Sequence, residues 1–325
     1  GLEVVGAATN AYEARELLVS KKPDVMTLDI EMPQMNGVNF LEKVMKFSPL
    51  PVVMVSSLEA EGEAALRSLD LGAIEFVHKP TQFDPEGLRN LAESLVQKVK
   101  AASLVRDLKS RPSLQKVQLS SSRSIEGSSS RNVECVLIGG NTGSPKSLES
   151  LVRSWSADSP PAVVAISTVG DFLESYLGKL KSLSNRQINF KIASDGMLLL
   201  RGDFYFVPAG YHAQVVGISG RWSLKMTRGQ PHLGQIPSSD ILFTESAKHL
   251  KKGGAAVLLS GFGEDGVQGL ERIQAMGGVT LVEDPAEASF PYAPQSAIEE
   301  GVVTEVASSS EMFEAIKKLR SERAA

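Results

Sequence analysis

Val136-Leu137-Ile138-Gly139-Gly140-Asn141-Thr142-Gly143-Ser144-Pro145 reads as an apolar strand, a tight turn and the start of a helix. Ser144 can cap that helix and Pro145 suits its first position. Free N–H groups at such a helix start can face an oxyanion or a phosphate. Phosphate is the weaker fit. No Gly-Lys-Ser/Thr follows as in a P-loop, and the glycine spacing departs from the dinucleotide fingerprint. A strand that turns directly into a helix predicts an α/β sheet.

The alternation continues on both sides. Val133–Ile138, Ala162–Ile166, Phe204–Val207 and Ala255–Leu259 are strand candidates. Leu148–Trp155, Leu173–Leu183, Ile241–Leu250, Gly266–Met276 and Glu311–Leu319 have helical periodicity. Gln214–Val216 and Trp222–Met226 flank Gly217–Arg221 as a hairpin would. Upstream, 101–132 holds serine-rich clusters with no apolar period, and reads as a flexible linker.

Residues 1–100 alternate again. Strands are expected at Leu2–Ala7, Asp24–Ile30, Pro51–Ser56 and Ile74–Val77. Helices are expected at Tyr12–Leu18, Gly37–Phe47, Gly62–Leu71 and Asp84–Val99, with Gly72 closing the third. The expected organisation is therefore an α/β domain at 1–100, a linker at 101–132 and a second α/β domain at 133–325.

Composition narrows the function classes. The 325 residues are 42% hydrophobic and 22% charged, as in ordinary globular chains. A net charge of −4 gives no global bias toward nucleic acid or an anionic membrane. One cysteine, Cys135, excludes an internal disulfide framework and fits a reducing compartment. No apolar run is long enough to span a bilayer and no signal-peptide pattern opens the chain, so a cytoplasmic location without membrane insertion is expected.

In the first domain Asp29, Ser56 and Lys79 each end a strand candidate. Side chains at that edge of a parallel sheet converge. A carboxylate there can attack a phosphoryl group to form an acyl phosphate, and the hydroxyl and ammonium can bind its oxygens. The plainer reading is a turn aspartate and a solvated lysine. With Met32-Pro33 and Gly37 also in place, this constellation resembles response-regulator receiver domains. The resemblance implies a flavodoxin-like fold and roles for Asp29 as phosphoacceptor, Ser56 as switch hydroxyl and Lys79 as phosphate-binding lysine. It also implies a cis Lys79–Pro80 peptide and Mg²⁺ held partly by an acidic pair on a preceding strand. That strand is absent here, since the chain opens at Gly1 on Leu2–Ala7. Its place in the family is central in the sheet, so a chain truncated at its N-terminus is expected. Asp29 and Glu31 make an incomplete Mg²⁺ site.

In the second domain four segments carry a further likeness: Ile138–Pro145, Gly202–His212, Pro237–Phe243 and Leu258–Gly266. Receiver, linker and this domain together resemble the chemotaxis protein-glutamate methylesterase family (CheB). The likeness covers nearly the whole chain. It implies a doubly wound α/β fold and a Ser-His-Asp triad that hydrolyses glutamate methyl esters, and often deamidates glutamines, on chemoreceptors. It also implies a chemotaxis-type histidine kinase and the cytoplasmic regions of chemoreceptors as partners.

Two triad positions have changed. The nucleophile position holds Asn141 and the base position holds Ser167, while Asp265 matches the aspartate. Phe262 stands for a methionine of the oxyanion region, and Ser144 replaces a glycine. Neither an amide nor a serine hydroxyl can do the work of the group it replaces near neutral pH. In a comparable triad, losing nucleophile or base costs about a million-fold in kcat. About 10³–10⁴ over water then remains from oxyanion donors and binding. Asp265 can alternatively be a helix cap among glycines. Thr142 beside the lost nucleophile and His212 in the matched segment are the residues that could restore chemistry. His232 and His249 are expected at or near the surface, and His78 lies in the first domain. The histidines show no His-x-x-x-His spacing, so zinc is not expected.

The expected function is a phosphorylation-controlled regulator that binds through an output domain impaired in hydrolysis. The alternative is an active methylesterase and deamidase acting on chemoreceptors. A sensor that keeps the cleft for a small carboxylate or amide is a third reading.

Overall fold

A computed structural model describes residues 1–56, 62–80, 85–103, 133–184 and 187–321. The chain divides into two compact units, Gly1–Pro112 and Ser113–Ala325.

The first unit runs α1 (Ala11–Lys21), β1 (Met26–Asp29), α2 (Gly37–Phe47), β2 (Val52–Ser56), α3 (Gly62–Asp70), β3 (Glu75–His78) and α4 (Pro85–Ser103). Its strands form a parallel sheet in the order β1-β2-β3. Asn10 starts α1 by accepting the N–H groups of Tyr12 and Glu13 at 3.0 and 3.1 Å. Gly72, at φ 105°, ends α3, with Ala73 N–H returning to Ser68 O at 2.9 Å. Gly37 opens α2 against the main chain of β1. A Cβ there would lie 1.9 Å from Asp29 O, so only glycine lets the helix start so close to the strand end.

Two expectations fail in this unit. Leu2–Ala7 forms no strand and lies exposed, Val4 at 86%. A strand needs a lateral partner for its N–H and C=O groups, and none of the described strands pairs with this segment. The helix expected to stop at Val99 continues to Ser103, so the first three residues assigned to the linker are helical. The rest of that linker lies outside the described residues.

The second unit contains β4 (Cys135–Gly140), α5 (Ser144–Ser154), β5 (Ala162–Ile166), a 3₁₀ turn (Ser167–Phe172), α6 (Leu173–Leu183), β6 (Phe190–Ile192) and β7 (Phe204–Phe206). A hairpin follows, β8 (Tyr211–Ile218) and β9 (Arg221–Arg228), then α7 (Ser239–Leu250), β10 (Gly254–Leu258) and α8 (Val267–Ala275). The unit closes with β11 (Val279–Glu283), α9 (Tyr292–Glu299), β12 (Glu305–Ala307) and α10 (Met312–Ser321). Seven parallel strands order as β12-β11-β10-β4-β5-β7-β6.

Every residue of β4, β5, β10 and β11 is buried, which explains their unbroken apolar runs. The chain leaves β4 toward β5 and later returns to β4's other side with β10. Such a switch point opens a crevice beyond the carboxyl ends of the strands. Gly139 lets α7 close over it: a Cβ would sit 2.6 Å from Ser239 Cβ and 2.7 Å from Phe243 Cζ. The hairpin pairs antiparallel from Tyr211–Arg228 to Ile218–Arg221. Glu134, beside β4, grips its tip through Ser219 Oγ, Gly220 N–H and Trp222 Nε1–H at 2.6, 2.9 and 3.0 Å.

The expected cap of α5 shifts by one residue. Gly143, at φ 84°, is the cap, while Ser144 is already helical. The Ser144 hydroxyl donates backward to Asn141 O at 2.6 Å, which tightens the turn instead of capping the helix.

Candidate active site and phosphoacceptor cluster

The residues singled out in the second unit gather beyond the strand ends. Asn141 and Thr142 follow β4, Ser167 follows β5, and Phe262 and Asp265 follow β10. Asn141 is 3% exposed. Its Oδ1 accepts the N–H of Thr142 and the N–H of Phe262, each at 2.7 Å. Its Nδ2 donates to Phe262 O at 3.0 Å. A carbonyl oxygen has two lone pairs, and both are used here. Two main-chain donors thus converge on one oxygen at the distance suited to an oxyanion. Phe262 stands edge-on to Tyr292, ring centres 5.6 Å apart.

Asp265 is buried and points to the first turn of α7. It accepts Ser238 Oγ–H at 2.6 Å, Ser239 N–H at 2.7 Å and Asp240 N–H at 3.1 Å. It is a helix-capping residue, but not for the helix that follows it in sequence. α8 is capped by Gly266, with no side-chain bond. Ser167, expected at the base position, donates its hydroxyl to Gln235 Oε1. Ser167 and Asp265 therefore serve different partners.

His212 is buried with both ring nitrogens engaged. Nε2–H donates to Gln230 O at 3.0 Å, and Nδ1 accepts Ser238 N–H at 3.3 Å. It positions the segment leading into α7, and its basic nitrogen is spent on Ser238. A Thr142–His212 pair would have to break that bond.

Two ionisable groups are perturbed around the crevice and a third at the opposite, amino-terminal end of β4. Burial raises the Glu283 carboxyl above its ordinary range, against the opposing pull of its donors. Those donors are Ser147 Oγ–H and Ser260 N–H, each at 2.7 Å. Burial likewise raises Asp240; Gly269 N–H, at 2.7 Å, opposes the rise and the charge of Asp265 adds to it. Burial pushes the Cys135 thiol up, leaving it inert in β4. His232 was expected near the surface, and its side chain is 39% exposed. Its Nε2 nevertheless lies 3.5 Å from Asp240 Oδ2.

In the first unit Asp29 and Lys79 meet directly, Lys79 Nζ donating to Asp29 Oδ2. Glu31 N–H donates to Asp29 Oδ1 at 3.1 Å. Ser56 is buried at the end of β2, and its carbonyl accepts Lys79 N–H at 2.7 Å. The three predicted residues thus lie at one sheet edge. Lys79 makes this contact without the expected cis bond; among the described residues the cis peptide is Ile236–Pro237. Magnesium fits this site poorly. The Glu31 side chain is exposed, and among the described residues no group of three acidic or histidine ligands forms around Asp29.

Residues 136–316 match the family described as CheB methylesterase, and residues 1–93 match the response regulator receiver domain. The chain belongs to the CheB methylesterase family. A protein-glutamate methylesterase/protein-glutamine glutaminase of Caulobacter vibrioides is 36% identical over 99% of this chain and 92% of the relative. One from Shewanella oneidensis is 33% identical over 94% and 87%. The crystal structure of the Thermotoga maritima CheB methylesterase catalytic domain superposes with a TM-score of 0.54 at 27% identity. It covers 57% of this chain and 98% of that one. The chain is a chemotaxis response regulator with a receiver domain and a methylesterase domain. Among the described residues no helix is long and apolar enough to cross a membrane.

The partners of the site residues escaped the sequence reading. Ser238, Ser239 and Glu283 lie far along the chain from the groups they hold. Ser238-Ser239-Asp240 ahead of an apolar helical run did carry a capping signal.

Proposed function

We propose that this chain acts in chemotaxis by phosphorylation-controlled binding, with an output domain that no longer hydrolyses esters. The observation that carries this reading is the Asn141 oxygen held by the Thr142 and Phe262 N–H groups. A scissile carbonyl would need such donors for its developing charge. Here the protein's own amide takes them. Asn141 is a poor nucleophile, and the Ser167 hydroxyl cannot draw a proton from one. Aromatic surface at Phe262 and Tyr292 offers contact area beside the closed site.

Control would begin at Asp29. Its carboxylate attacks a phosphoryl donor, the bond from phosphorus to the donor breaks, and an acyl phosphate results. Lys79, already on Asp29, then meets the phosphoryl oxygens. The donor would be a chemotaxis-type histidine kinase, and the binding target the cytoplasmic region of chemoreceptors. Receiver domains in general use Mg²⁺ for this step, and the ligands described around Asp29 fall short of a complete site.

The test is a methylesterase and deamidase assay on methylated receptor membranes. It compares the wild type with Asn141→Ser/Ser167→His. A silent wild type and an active double variant are expected. Methanol release by the wild type, abolished by Asp265→Ala, would overturn the proposal in favour of an active enzyme, the activity that names the relatives.

A further inference from the structure

His232, Asp240 and Asp265 come together at the start of α7. One ligand atom from each lies within 4.8 Å of the other two. Asp240 is 3% exposed, and its two oxygens differ. Oδ1 accepts Gly269 N–H at 2.7 Å, which fixes the carboxylate's orientation. Oδ2 is buried without a hydrogen-bond donor and faces His232 Nε2 at 3.5 Å. A buried carboxylate oxygen without a hydrogen bond is costly. The contact with His232 offsets that cost only while the imidazole is protonated, whereas a bound cation would offset it in either case.

His232 is held ready. Its N–H and C=O exchange bonds with Gln235 at 3.0 and 2.8 Å across Leu233 and Gly234. Both turn residues have positive φ, 49° and 76°, so the turn is tight. Asp265 spends Oδ1 on two donors and Oδ2 on one, leaving lone-pair capacity on Oδ2.

We propose that His232, Asp240 and Asp265 bind one divalent transition-metal cation of the zinc class. One nitrogen and two carboxylate oxygens suit zinc better than calcium or magnesium, which prefer oxygen alone. Bonds of about 2.0–2.2 Å place tetrahedral ligands about 3.3–3.6 Å apart, and the His232–Asp240 edge has that length. The His232–Asp265 edge closes by movement of His232, the half-exposed member, and the Asp240–Asp265 edge by a small shift of the two carboxylates. Two carboxylates neutralise the dication, and solvent on the His232 side supplies a fourth ligand. The expectation of no zinc rested on the spacing between histidines, and this set holds a single histidine.

The test uses the untagged full chain, stripped with a chelator and titrated with zinc against a chromophoric competitor. One zinc per chain is expected, with an unfolding midpoint that rises with free zinc. His232→Ala and Asp240→Asn should each weaken uptake by about tenfold or more. Both should fold, because His232 is half-exposed and asparagine keeps the acceptor for Gly269. Cobalt substitution should give a tetrahedral visible spectrum that both variants lose. No stoichiometric uptake by the wild type, the result if a shared proton settles Asp240, would overturn the proposal. Uptake unchanged in both variants would also overturn it, by placing the zinc elsewhere.

Discussion

Asn141 and Phe262 exchange two hydrogen bonds, Nδ2–H to the carbonyl at 3.0 Å and N–H to Oδ1 at 2.7 Å. A primary amide can bond both main-chain groups of one residue in this way, and a serine hydroxyl cannot. Asn141 therefore stitches the loop after β4 to the loop after β10.

Asn141→Ser alone should lower stability by about 1–3 kcal/mol, since two buried N–H groups lose their acceptor. It should not create hydrolysis, because no base is gained. Urea midpoints and methanol release measure the two effects. An unchanged midpoint would mean that water takes the place of the amide oxygen.

Asp265→Ala should cost about 2–3 kcal/mol through the start of α7, where Ser239 and Asp240 N–H lose their acceptor. Asp265→Asn keeps one carbonyl oxygen and should cost less. Hydrogen exchange at Ser239 and Asp240 should quicken in the alanine variant. Protection that persists would contradict the capping role.

The raised carboxyls Asp240 and Glu283 give stability a definite slope with pH. Each binds its proton more tightly folded than unfolded. Their contribution is complete below the unfolded values, about 4. It is lost as pH rises through the raised folded values. Asp240→Asn removes one share of that loss, so metal-free Asp240→Asn should gain in Tm over metal-free wild type as pH goes from about 4.5 to 8. A constant difference across that range would refute the assignment.

Gly37→Ala and Gly139→Ala should both destabilise by more than the usual ~1 kcal/mol. Their new Cβ atoms would meet Asp29 O at 1.9 Å and Ser239 Cβ at 2.6 Å. Gly37→Ala should also slow acyl-phosphate formation at Asp29, read by phosphate-sensitive gel mobility, because β1 and α2 must part. Normal labelling in the folded variant would disprove that coupling.

Much of the frame was legible in the residues. Gly37–Phe47, Leu173–Leu183 and Ala162–Ile166 fold with the expected bounds, because helical periodicity in the first two and an unbroken apolar run in the third are bracketed by turn or capping residues. β6, β11, β12 and α9 were not anticipated. Three-residue strands such as Phe190–Ile192 are too short for a period. Val279–Glu283 did carry a signal, an apolar run after Gly277-Gly278, that was missed. Leu2–Ala7 failed for the opposite reason: a strand-like composition does not make a strand without a neighbour. In the site, strand ends were readable and long-range partners were not. Asp265 with Ser238, or Ser147 with Glu283, are pairs that only the closed sheet creates.

The seven-stranded sheet keeps the residues in question outside its strands, in the segments beyond their ends. Folding and chemistry are thereby written on different parts of the chain. A lineage could exchange a nucleophile for an amide and inherit the scaffold unchanged, with its surface and its regulator still attached. An architecture of this kind turns the loss of a reaction into the release of a ready-made adaptor.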